Sequence, residues 1–134
     1  MTTVNIDLST GAPPSPERTL KLAETLAEIM RVLNHTTMHH EAIGKPSDVD
    51  RVVRELSSME ARLPQLLGQL GAWLEQEEAT GRIEVAGQAE DPAVSVMAVV
   101  MNLEDASGAA ARAQVDLDVA ASVTSSLEGR EDSK

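Results

Sequence analysis

Hydrophobic positions along this chain change their period twice. In "TVNIDL", residues 3–8, Val4, Ile6 and Leu8 alternate with polar residues, the period of a short half-buried strand. "STGAPPSP" follows, and its prolines and glycine break regular structure. A lone strand is not stable. This one is expected to pair with "RIEV", residues 82–85, where Ile83 and Val85 alternate, or with a second chain.

From Ser15 onward the spacing becomes three and four. Leu22, Leu26, Ile29 and Leu33 lie on one helical face, and extending that seam reaches Thr36, His40 and Ile43. The spacing predicts a helix over 16–43. Ser15 would cap it, Pro16 would sit at the first position, and Gly44 and Pro46 would stop it.

A second helix is predicted over 47–80, capped by Ser47, with Asp50 in the part of the capping-box acid. Its seam runs Val49, Val52, Leu56, Met59, Leu63, Leu66, Leu70 and Trp73, a heptad stripe broadened by Val53, Leu67 and Leu74. Pro64 interrupts the backbone bonding, but the apolar phase survives across it, so a kink is expected there instead of a stop. Gly81 ends the helix. The third helix, 92–127, opens on Asp91 and Pro92. Its seam is Val96, Val99, Leu103, Ala106, Ala110, Ala113, Leu117, Ala120 and Leu127, with Thr124 between the last two. The small residues in its middle allow a neighbour to approach closely.

These elements predict an all-α fold: three long antiparallel helices in a bundle, with a short strand-like N-terminal arm. The expected division is an arm at 1–15, a helical bundle domain at 16–128 and a disordered tail at 129–134. Three helices could bury these stripes within one chain. The second and third carry apolar residues beyond a single seam, which favours a homodimeric bundle.

Composition narrows the chemistry. Trp73 is the sole aromatic among Phe, Trp and Tyr, so the core must be aliphatic. Such interiors seldom line the pocket of a drug-sized ligand or cofactor. With no cysteine there is no disulfide, thiolate zinc site or iron–sulfur cluster, which fits a cytoplasmic setting. No apolar run approaches a membrane span, and the N-terminus lacks the basic start and apolar block of a signal peptide. The net charge is −11, with most of the excess acid after Trp73. That surface repels phosphate backbones and anionic lipid, so neither nucleic acid nor membrane is an expected partner.

All three histidines, His35, His39 and His40, fall within six positions. His35 and His39 are four apart, a valid two-ligand spacing for zinc. Their flank supplies no third ligand, and HExxH is absent because the text reads "HTTMHHE". His40 extends the seam and is expected to pack inward. No G-x-S-x-G, P-loop or G-x-G-x-x-G is present, and the carboxylates pair along helix faces, as Glu28–Arg31 and Asp50–Arg54 would. No catalytic residue, cofactor or enzyme activity is expected.

The stretch "RVLNH…PSDVDRVVREL…ARLPQLLGQLGAWLEQEEATGRI", residues 32–83, resembles small acidic all-helical proteins of actinobacteria often found near mobile elements. The resemblance is most specific at "RLPQLLGQLGAWLE". It implies a bacterial, cytoplasmic setting and no catalytic residue. The expected function is non-enzymatic: a homodimeric helical adaptor or regulator that docks onto a protein partner through an apolar helix face and an acidic rim, with Leu56, Met59, Leu63, Leu66, Leu70 and Trp73 as its interface or core seam. One alternative is an acidic inhibitor or nucleic-acid mimic occupying a basic groove of a partner protein. Another is a histidine-dependent metal-binding bundle using His35 and His39.

Overall fold

A computed structural model describes residues 3–87 and 91–130. Among these the protein is all-α: helix α1 (Pro16–Thr37), α2 (Pro46–Ala79) and α3 (Pro92–Thr124), with a single 3-10 turn at His40–Ala42. The chain divides between Gly44 and Lys45 into two compact units. The first holds the arm, α1 and the 3-10 turn; the second holds α2 and α3. The tail expected at 129–134 falls outside the described residues beyond Arg130.

In the first unit the expected strand does not form, and no ladder is present at 82–85 either. Asp7 explains part of this. Its carboxylate accepts the Ser9 backbone N–H at 2.8 Å and the Ser9 hydroxyl at 3.2 Å, a local turn that competes with extended pairing. The Ser9 N–H also holds the Asp7 carboxyl below its ordinary range. Arg18 then ties the arm to α1 by donating to the Ser9 carbonyl at 2.9 Å. The helix start is as expected: Ser15 Oγ accepts the Arg18 N–H at 3.1 Å, with Pro16 in the first turn.

The end of α1 is a correction. The helix stops at Thr37, six residues short of Ile43. Its last turns read "NHTT", all weak helix formers, two of them β-branched. The Thr37 hydroxyl bonds back to the Leu33 and Asn34 carbonyls. His39 follows in extended backbone (φ −95°, ψ 128°), so the seam cannot propagate to His40.

In the second unit α2 begins one residue before the expected cap. Pro46 takes the first helical position and Lys45 precedes it, its backbone N–H donating to Asp48 Oδ2 at 3.2 Å. The reciprocal acid is therefore Asp48, not Asp50. Helix α2 is continuous through Pro64. It ends at Ala79, and Gly81 just beyond it turns the chain with a left-handed φ of 72°; the Gly81 and Arg82 N–H groups bond the Glu78 and Glu77 carbonyls, each at 3.0 Å. Helix α3 starts as expected, with Asp91 accepting the Ala93 N–H at 3.0 Å.

Helices α2 and α3 pack antiparallel along their length. Asp50 lies opposite Thr124, Ser57 reaches Asp118, and Gly71 lies against Val100 and Leu103. The best-covered positions are Ser57 and Gly71 on α2, and Val96, Ala110 and Ala121 on α3. Heptads through them give the stripe Asp50, Val53, Ser57, Glu60, Pro64, Leu67, Gly71 and Leu74 on α2, and all eight are buried or half-buried. On α3 the same construction gives Val96, Val100, Leu103, Ser107, Ala110, Gln114, Leu117, Ala121 and Thr124, again buried or half-buried.

The expected seam of α2 is therefore displaced by one residue, about 100° around the helix. Leu56, Met59 and Leu63 are half-buried flanking residues, while Leu66, Leu70 and Trp73 are exposed. On α3 every second position of the expected seam is correct, and Val99, Ala106 and Ala120 are exposed. The physical reason lies in the neighbouring stripe, where Asp50 and Ser57 bond Thr124 and Asp118 and Gly71 admits Val100 and Leu103 closely.

Candidate functional site

The histidines do not assemble a centre. His35 lies in the last turn of α1, and its ring stands edge-on to that of His39 with centroids 5.7 Å apart. His39 is in the extended link and His40 in the 3-10 turn, and all three are exposed. The expected inward His40 is overturned by the early end of α1. Among the described residues no group of three or more His, Asp or Glu side chains is placed to hold a metal ion.

The arm and α1 enclose an open cleft of about 570 Å³, with Val4, Ile29, Val32 and Leu33 on its walls and Glu28 and Arg31 at its edge. Arg31 donates to Glu28 through Nε at 2.9 Å, which holds the Glu28 carboxyl below its ordinary range and the guanidinium above. The two charges are spent on each other. Thr25 and Thr36 add hydroxyls to an otherwise mainly apolar wall, and the Thr25 hydroxyl donates to the Lys21 carbonyl at 2.6 Å.

Polar chemistry within the α2–α3 contact is structural. Ser57 Oγ donates to Asp118 Oδ1, and Thr124 Oγ1 donates to Asp50 Oδ1 at 2.9 Å. Asp50 also accepts from Arg54 Nε at 2.9 Å. The Arg54 hydrogen bond chiefly depresses the Asp50 pKa, with Thr124 assisting against desolvation. These cross-helix bonds join residues 61 and 74 positions apart and set the register of the pair. Their sequence signal was polarity at heptad positions, Asp50 and Ser57, beside an apolar stripe that masks it.

What remains is the open stripe. Leu56, Met59 and Leu63 continue into Leu66, Leu70 and Trp73, which are 44%, 44% and 59% exposed. In an antiparallel pair, residues preceding the contact positions on both helices share one side, and those following share the other. Leu56, Leu63 and Leu70 thus lie beside Val99, Ala106, Ala113 and Ala120. The opposite side carries Arg54 and Asp118, which attract one another, and Glu75 and Glu104 beside a small cleft. The Leu56–Trp73 side carries a continuous row of large apolar residues on α2, whereas the opposite side mixes these charges with exposed Met97, Met101 and Val115 of α3. Among the described residues no helix is long and apolar enough to cross a membrane, so this side is not part of a helical span there. No family model, curated protein or solved structure matches the chain significantly.

Proposed function

We propose that the protein is a non-enzymatic helical interaction protein, an adaptor or regulator that docks another protein on the open stripe of α2. One observation carries this reading: the most apolar stripe of α2 is not the one that α3 covers. An exposed ridge of Leu, Met and Trp is what marks association surfaces, whereas scattered single apolar residues do not.

A photo-crosslinking amino acid at Leu66, compared with one at Arg51 on the charged side, tests the reading in intact cells. Capture of a defined protein from position 66 and little from 51 is expected. Equal capture from both positions, or capture from neither, contradicts the interaction role.

A further inference from the structure

We infer that the occupant of the open stripe is a second copy of this chain, with α2 of each copy laid against α3 of the other in a four-helix bundle. This rests on the interaction role and names its partner. The need for a partner comes from the pair itself. Among the described residues the buried hydrophobic side chains are Val96, Ala110 and Ala121, and no large side chain is fully enclosed. Two helices in contact along one line cannot surround a core, and helical stability in proteins comes mainly from packing an apolar face.

Area and shape then select a second copy. The stripe from Val49 to Trp73 extends about 36 Å at the helical rise. With α3 beside it at about 9 Å and each helix about 10 Å across, the face is about 19 Å wide and covers roughly 700 Å². A stable complex needs about 800 Å² per partner, so two such faces apposed come close to a standard interface. The face is also uneven in a self-complementary way. Its α2 half is a ridge of Leu63, Leu66, Leu70 and Trp73; level with that ridge its α3 half is a shelf of Ala106, Ala109 and Ala113, which gives way to Asn102 and Val99 beside Trp73. A two-fold axis parallel to the helices sets each ridge on the partner's shelf and keeps neighbouring helices antiparallel. The perpendicular axis would set ridge on ridge and shelf on shelf, leaving one half overfilled and the other void.

Charge supplies an independent signature. Each chain carries −11, so two copies repel, and screening by salt must strengthen their association. A basic partner would show the reverse.

Sedimentation equilibrium of the full chain at low and high salt tests this. The expected mass is twice 14.3 kDa, with a dissociation constant that falls as salt rises. Leu66→Glu should weaken the dimer by about a hundredfold or more, as for a central apolar contact. Ala106→Leu, which favours helix and cannot unfold α3 through propensity, should weaken it by about tenfold through overfilling of the shelf. Val119→Glu, on the outer surface of α3, should leave it unchanged. In this cysteine-free chain, mixed Leu63→Cys and Ala113→Cys proteins should form a disulfide-linked pair, and Leu63→Cys alone should not. Linkage of Leu63→Cys to itself overturns the arrangement, and a dimer indifferent to both Leu66→Glu and Ala106→Leu overturns the surface. A monomer at all concentrations overturns the second copy. If position 66 still captures a different protein, the interaction role survives that result; if it captures nothing, both fail.

Discussion

Two stripes run side by side along α2, one residue apart in sequence. The covered one reads Asp50, Val53, Ser57, Glu60, Pro64, Leu67, Gly71 and Leu74; the open one reads Val49, Val52, Leu56, Met59, Leu63, Leu66, Leu70 and Trp73. The stripe that faces α3 mixes polar and small residues with Val53, Leu67 and Leu74, whereas the open one is apolar throughout. Intrachain packing uses small residues for closeness and polar pairs for register. The open stripe has the area and hydrophobicity of an interface, whose core tolerates neither charge nor small side chains as its anchors. Position within a helix thus separates how the chain folds from what it meets.

The largest expected effect tests which stripe is covered. Leu103→Ala, opposite Gly71, should cost about 2–3 kcal/mol in denaturant unfolding of the dilute chain. Leu66→Ala, 44% exposed, should cost less than about 1 kcal/mol under the same dilution. The reverse order would place the seam back on the open stripe.

A smaller effect of opposite sign comes from Gly71. A methyl group there would meet Val100 and Leu103 at 3.6 and 3.7 Å, ordinary contact distances. Gly71→Ala should therefore stabilise α2 by roughly 0.5–1 kcal/mol, the helical preference of Ala over Gly. A loss would show that the helices are closer than described.

The cross-helix polar pair predicts a pH dependence. The Asp50 pKa is lowered from 3.8 by Arg54 and Thr124, so the folded state binds its proton more weakly than the unfolded chain does. Its contribution is present above the unfolded value and is lost as pH falls through the depressed folded one. In Asp50→Asn this part of the acid-side decline in stability should disappear, read as a flatter profile below about pH 4. An unchanged profile removes Asp50 from the register-setting pair.

The smallest effects belong to the histidines. Alanine at His35, His39 or His40 should each change stability by less than about 0.5 kcal/mol, and EDTA should leave the melting point where it was. A large shift with His35→Ala and with EDTA would restore the metal-binding alternative.

The helix starts were legible because their signals are local: Ser15–Pro16 and Asp91–Pro92 satisfy the first N–H groups whatever lies beyond. Gly81 was legible for the same reason. The end of α1 was not, because no breaker marks it; it follows from accumulated weak formers and the back-bonding of Thr37. The phase of α2 was misread by one residue because hydrophobicity reports that a stripe will be covered without saying by which neighbour. Helix α3 could not correct it, having Val94, Met97, Met101, Val115, Val119 and Val123 exposed around its contact seam. The row Leu56 to Trp73 was legible as an apolar stripe and was read as the seam of the bundle; that Leu66, Leu70 and Trp73 stand exposed outside the α2–α3 contact was not.

Trp73 offers the most direct test, since it is the chain's single tryptophan and lies on the open stripe, 59% exposed when one chain stands alone. Its emission and its quenching by acrylamide can be followed across a dilution series without any substitution. Self-association through this surface predicts a blue-shifted, shielded tryptophan at high concentration that becomes red-shifted and readily quenched on dilution, with the midpoint moving to lower concentration as salt is raised. A tryptophan whose emission and quenching are the same at every concentration would contradict the account.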